Sequence, residues 1–228
     1  MRSLQRREVL CVLGGLAFAR RGAAATALRA ARDAVDHIVI GTRDLERGIA
    51  GIEAMTGVRP AIGGSHPGRG TRNALFSLGP RQYAELIAPD PEQAGTKDAY
   101  GLADFPEPRM LMWAASATDI DAMAAARNAT PAPGSRVRPD GRVLSWRTLA
   151  IAARPGIVPF FIQWDAGTIH PASDSPAGCT LTALSFEAPD PAAVEVELAA
   201  AGISARVTRG PAPRLAATLQ TPKGRVTL

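Results

Sequence analysis

Two side chains that can move protons or bind a metal ion sit in short β-forming runs 48 positions apart. His37 lies in Val35-Asp36-His37-Ile38-Val39-Ile40, and Glu85 lies at the centre of Tyr83-Ala84-Glu85-Leu86-Ile87. Imidazole is the side chain that titrates near neutrality without help from its surroundings. A carboxylate among apolar neighbours is costly to bury unless it is paired, bonded or solvated. Brought to one point, the two would form an acid–base pair or two ligands of one metal ion. The chain has 3 histidines. His66 stands in the glycine-rich stretch Gly63–Gly70, followed by Arg72 and Asn73, and His170 precedes Pro171 in a polar linker.

Whether His37 and Glu85 can meet depends on the strands that carry them. Side chains alternate between the faces of a strand. Val35, His37 and Val39 therefore share one face of the first run, and Asp36, Ile38 and Ile40 the other. In the second run Tyr83, Glu85 and Ile87 oppose Ala84, Leu86 and Ala88. If both strands turn the same face to one cavity, the imidazole and the carboxylate converge there.

From residue 34 the chain repeats itself loosely. A strand at His37–Ile40, at Met112–Ser116 and at Leu184–Ala188 runs each time into a polar link with an Asp suited to cap a helix: Asp44, Asp119 and Asp190. Pro191 fits a first helical position. Apolar residues then recur at helical spacing: Leu45, Ile49 and Ile52; Ile120, Met123 and Ala124; Val194, Leu198 and Ala201. Gly57 and Gly202 stand where helices end. Strand-like segments follow: 58–62, 71–78 and 81–88; then 142–150 and 158–164; then 204–208, 215–220 and 224–228. The pattern predicts an α+β fold of βαβββ units at about 34–90, 109–165 and 179–228. Each unit would give a curved half-sheet with its helix outside, and two side by side would close a cup. The cup could form within one chain or between two copies in a homodimer.

The 228 residues suffice for a core, and the composition, 46% hydrophobic and 21% charged, is that of a globular protein. A net charge of +5 invites a nucleic-acid reading. However, 6 of the 26 basic residues and 1 of the 21 acidic ones fall within residues 1–30, so the remainder is neutral. No basic stripe is left for a phosphate backbone. Residues 1–30 read as a twin-arginine export leader. Arg6-Arg7 precedes an apolar run, Val9–Ala19, too short to span a bilayer, and Ala23-Ala24-Ala25-Thr26-Ala27 suits a signal peptidase. A periplasmic or secreted protein without a stable membrane anchor is expected. Of the two cysteines, Cys11 lies in the leader, which leaves Cys179 as an unpaired buried filler.

The strand Asp36–Ile40, the link Thr42-Arg43-Asp44-Leu45-Glu46, the loop Gly63–Leu75 and the strand Tyr83–Pro89 resemble the glyoxalase-like group of the vicinal oxygen chelate superfamily. Pro159–Trp164 followed by His170-Pro171 resembles it again. The resemblance implies a small-molecule substrate and a divalent metal ion held by residues on the first and last strands of a unit. His37 and Glu85 occupy those positions, with His170, His66 or Gln163 available as a third ligand. The second unit departs from the pattern: Met112 stands where the matching histidine would be, and its end strand offers no glutamate.

Two classes of function follow. One is a metal-dependent lyase, isomerase or dioxygenase in which the ion holds substrate oxygens, stabilises an oxyanion, and Glu85 or His66 shuttles a proton. The metal would be held by His37, Glu85 and His170, with Asn73, Arg72, Trp113 and Trp164 contacting substrate. The other is a binding module whose aromatic cup sequesters a small compound without turnover.

Overall fold

The computed structural model describes residues 28–93, 95–96, 100–151 and 156–228. The expected leader therefore lies outside the described residues except for its last three positions. Two of these belong to the fold: β1 (Arg29–Ala30) pairs in parallel with Ile203–Ser204 and leads through a one-turn helix, α1 (Ala31–Ala34), into the first unit.

That unit comprises β2 (Val35–Gly41), α2 (Leu45–Thr56), β3 (Ala61–His66), β4 (Thr71–Gly79) and β5 (Gln82–Pro89). The second comprises β6 (Arg109–Ser116), α3 (Ile120–Ala125), β7 (Ala132–Val137), β8 (Val143–Ala150) and β9 (Phe160–Trp164). The third stretch holds β10 (Thr180–Ala188), α4 (Pro191–Ala200), β11 (Ile203–Ser204), β12 (Val207–Arg209), β13 (Arg214–Thr221) and β14 (Gly224–Thr227).

The helix starts have the chemistry read from the chain. Asp44, Asp119 and Asp190 accept the backbone N–H groups of Arg47, Ala122 and Ala193 at 2.9, 2.9 and 3.2 Å. Each satisfies a donor that the first turn leaves free, an effect worth about 1 kcal/mol. Gly57 closes α2 at φ 79°, a backbone region that a side chain would disfavour.

Eight strands form one curved sheet in the order β3-β4-β5-β2-β6-β9-β8-β7. Within each half the first strand lies parallel to the last, β2 beside β5 and β6 beside β9, and an antiparallel β2–β6 pair joins the halves. The cup is thus built by one chain. Its outer strands, β3 and β7, approach each other: a Cβ on Gly64 would collide with the Val137 carbonyl. Ile38 and Ile40 on the outer face of β2 share the main core with Leu45, Ile49 and Ile52 of α2. Burying each such side chain stabilises the fold by about 1.5–3 kcal/mol.

The third stretch has the expected elements in a different arrangement. Its sheet runs β12-β10-β13-β14. Here β11, the first strand after the helix, leaves to pair with β1, and β12 returns beside β10, whereas in the cup the strand after the helix lies at the far edge. The third sheet therefore stays separate and packs behind the cup, with Phe186 against Trp113 at a centroid distance of 5.9 Å. One cup strand, β7, lies in a stretch whose composition predicts none. Its Pro133 lacks an N–H and is tolerated because β7 is an edge strand.

Candidate active site

Inside the cup is a cavity of about 350 Å³. On β5, Tyr83, Glu85 and Ile87 all face it, and His37 and Val39 face it from β2. His37 Nε2 lies 3.7 Å from Glu85 Oε2. His66, at the end of β3 and paired across the turn with Thr71, also lines it, with Nε2 3.4 Å from Glu85 Oε1.

The alternation read for β2 fails at its first two residues: Val35 joins the core of Ile38 and Ile40 instead of facing the cavity with His37 and Val39. A register shift in the β2–β6 pairing lies between Val35 and His37, and Asp36 sits at this bulge. A bulge re-aims side chains, and Asp36 turns to the His37 side, where its Oδ1 accepts from His37 Nδ1 at 2.8 Å. Its Oδ2 accepts from Trp164 Nε1 at 3.1 Å and from His170 Nε2 at 3.1 Å. Because His170 Nδ1 accepts the Ala172 N–H at 3.2 Å, its proton lies on Nε2. Burial pushes the Asp36 carboxyl up, but hydrogen bonds and charge from His170 and His37 outweigh it and hold the group at about 2. With Nδ1–H committed to Asp36, His37 turns its Nε2 to the cavity, and its ring stacks on Tyr83 at 4.6 Å.

A second chain of bonds holds Glu85. Arg136 Nη1 donates to Asn73 Oδ1 at 2.6 Å, which fixes the orientation of that amide. Asn73 Nδ2 then donates to Glu85 Oε1 at 2.6 Å and to His66 Nε2 at 3.1 Å. His66 Nδ1 in turn donates to Thr71 Oγ1 at 2.9 Å. Burial raises the Glu85 carboxyl, yet His66, His37 and Asn73 together hold it far below the usual carboxylate range. A carboxylate so firmly ionised is a poor proton acceptor and a good fixed negative charge. Tyr83 is pushed the other way by burial and by the charges of Glu85 and Asp36, so its phenol stays neutral.

The two-fold relation between the halves shows what the second half contributes. The β2–β6 register pairs His37 with Ala114 and Val39 with Met112, and in the halves Val39 faces Glu85 as Ala114 faces Phe160. Met112 is therefore the counterpart of His37, and Phe160 the counterpart of Glu85. Both line the cavity. A ligand set with two donors from each half is thus missing half its members. His66 Nε2 already accepts from Asn73, and among the described residues no group of three or more His, Cys, Asp or Glu side chains is arranged to hold a metal ion. The donors present do not fit the expected divalent centre.

The other candidates from the sequence fall in three places. Asn73 and Trp164 line the cavity. His170 stands behind it, with both ring nitrogens occupied as described, so it is a support for Asp36 and not a metal donor. Gln163 accepts from the Ile120 N–H at 2.8 Å and caps α3. Arg72 alternates with Asn73 on β4 and does not line the cavity. Trp113 is fully buried in the core, donating to the Ile157 carbonyl at 2.8 Å. Arg136 and Asp36 are the groups that sequence reading passes over. Arg136 lies on the unforeseen strand β7, and Asp36 is displaced by a bulge that leaves no local signature.

Comparison with known proteins agrees with this architecture. A hypothetical protein from Staphylococcus aureus is similar over 79% of this chain and 87% of its own, at 16% identity and a TM-score of 0.60. A methylmalonyl-CoA epimerase from Streptomyces coelicolor, in complex with 2-nitronate-propionyl-CoA, matches 63% of this chain and 99% of its own at 19% identity, with a TM-score of 0.40. The epimerase from Mycobacterium tuberculosis matches 63% of this chain and 93% of its own, also at 19% identity, with a TM-score of 0.37. Of the three, the Staphylococcus aureus structure alone exceeds a TM-score of 0.5, and at 16% identity it speaks for the fold alone. No curated protein gives a significant match. The profile of the glyoxalase-like domain family matches residues 35–202, which takes in both halves of the cup, and the chain belongs to that family.

Proposed function

We propose that the protein is a proton-transfer enzyme acting on a small carbonyl compound, with His37 as the general base. The observation that carries this reading is the Asp36–His37 couple: a buried carboxylate fixes Nδ1–H at 2.8 Å and leaves Nε2 open to the cavity. His37 Nε2 takes a proton from the carbon beside the carbonyl, and the C–H electron pair moves onto the carbonyl oxygen as an enolate. The imidazolium so formed lies between two carboxylates, Asp36 and Glu85, and returns its proton when the enolate collapses. The cations Arg69 and Arg136 line the same cavity and oppose the enolate charge. The reaction needs no metal ion, in keeping with the incomplete donor set.

The test is exchange of the α-protons of a panel of small carbonyl compounds, from hydroxyacetone to pyruvate, into D2O, followed by proton NMR. Exchange above the buffer rate that falls to background in His37→Ala supports the reading. If no compound exchanges, or His37→Ala matches the wild type, the base assignment fails and the cup is a binding module. Elemental analysis of the purified protein supplies the second arm: one divalent ion per chain would overturn the metal-free mechanism. Export through a twin-arginine leader stays part of the proposal. Cleavage among residues 23–27 would leave the β1 pairing intact.

A further inference from the structure

We infer that the cavity is built for a ligand bearing a carboxylate, and that Arg136 is the group that receives it. This rests on the proposed reaction at the same cavity and names its substrate class as a carboxylate-bearing carbonyl compound. Arg136 is 3% exposed and lines the cavity. A buried guanidinium is ordinarily matched by a carboxylate, because an unpaired charge in a low-dielectric site is expensive. Among the described residues no carboxylate lies within 4.0 Å of it, and its one hydrogen bond runs to the neutral Asn73. Arginine has five N–H donors in a planar fork. Only Nη1 is engaged among the described residues, and no other Arg136 nitrogen is both buried and unbonded. The free part of the fork therefore opens on the cavity.

The surroundings narrow the ligand further. Arg69 lines the same cavity, so the lining carries two arginines against the single carboxylate of Glu85, an excess that one monoanion neutralises. Asn73 stands between Arg136 and Glu85, one end on each, and keeps the cation from collapsing onto the carboxylate. The rest of the wall is apolar or aromatic, including Val39, Met112, Trp146, Phe160, Ile162 and Trp164. A planar carboxylate can dock two oxygens on the fork while its carbon body lies along this wall, its α-carbon turned to His37.

The experiment is a titration of the protein with benzoate and with benzamide, equal in shape and different in charge, followed by tryptophan fluorescence and calorimetry. Trp146 and Trp164 line the cavity and report occupancy. The expected result is benzoate binding at least about tenfold tighter than benzamide, the range of a charge-assisted bond in a buried site. Arg136→Met should abolish that preference and leave benzamide affinity unchanged, and Arg136→Lys should keep part of it. Equal affinity for the two probes, binding of neither, or a preference that survives Arg136→Met would overturn the inference. Inorganic phosphate displacing benzoate at equal concentration would overturn the carboxylate assignment as well. If Arg136→Met fails to fold, the comparison of the two probes on the wild type still decides. His37→Ala separates this inference from the base assignment: it removes proton exchange and leaves the benzoate preference in place.

Discussion

Asp36 and His37 are consecutive residues of one strand, yet Asp36 Oδ1 lies 2.8 Å from His37 Nδ1. Regular pleating would send them to opposite faces. The bulge between Val35 and His37 cancels that alternation and creates a carboxylate–imidazole couple in two positions of sequence. Asp36→Asn should therefore reduce proton exchange by about 100-fold or more through the turnover number, in line with the loss of a group that fixes an imidazole tautomer. Nitrogen-15 NMR of the His37 ring checks the cause. The variant should move the proton from Nδ1 toward Nε2, which general destabilisation would not do.

Asp36 also makes the fold sensitive to acid. Its folded value is about 2, below the unfolded value of about 3.9. A depressed carboxyl contributes stability that is fully present above the unfolded value and is lost as pH falls through the folded one. Glu85 shifts in the same direction. Stability should hold down to about pH 4 and then fall toward pH 2, with Asp36 alone accounting for about 2 kcal/mol. Urea unfolding at pH 7 and pH 3 measures this. The loss between the two pH values should be smaller in Asp36→Asn than in the wild type.

Trp113 and Trp164 should separate cleanly. Trp113 is core, bonded to the Ile157 carbonyl and packed on Phe186. Trp113→Phe orphans a carbonyl and should cost about 1–3 kcal/mol with no change in ligand affinity. Trp164→Phe removes a donor from Asp36 and a piece of cavity wall. It should weaken benzoate binding and lower exchange. Thermal unfolding and the fluorescence titration, run on both variants, distinguish the two.

Adjacent glycines at the seam should also differ. A Cβ on Gly63 would overlap the Arg136 guanidinium and the Asn73 carboxamide oxygen, both ends of side chains that can move. Gly63→Ala should displace the Arg136 fork and erase the benzoate preference, at about 1–3 kcal/mol in stability for the buried bond it breaks. A Cβ on Gly64 would meet backbone, the Val137 carbonyl, at φ 134°. Gly64→Ala should cost about 1–3 kcal/mol. Denaturation midpoints beside the titration check both outcomes.

The parts legible in the sequence were those set by local chemistry. Asp caps, Pro191, Gly57 and helical spacing marked the helices, and β-branched runs marked β2 and β5 along with the face shared by Tyr83, Glu85 and Ile87. The resemblance carried by residues 35–90 pointed to the cup. What escaped depends on pairing across the chain. The bulge that turns Asp36 exists only against β6, and β7 holds Pro133 and Gly134 with little intrinsic strand preference, so Arg136 had no sequence signal. His170 was a candidate ligand through the resemblance of the stretch that precedes it. Only the fold shows both of its nitrogens spent behind the cavity wall. The third stretch repeats the element order but not the strand order, and element order is all that periodicity reports.

The meeting of β3 and β7 gives the cup a fastening as well as a shape. Arg136 reaches from β7 to Asn73 of β4, so the guanidinium that would greet an incoming anion also buckles one rim of the barrel to the other. A guest that docks on the free part of that guanidinium sits on the buckle itself, and admission and recognition become one event at one side chain. Amide exchange along β3 and β7 should then respond to benzoate, while exchange in the β10–β13 sheet behind stays as it was.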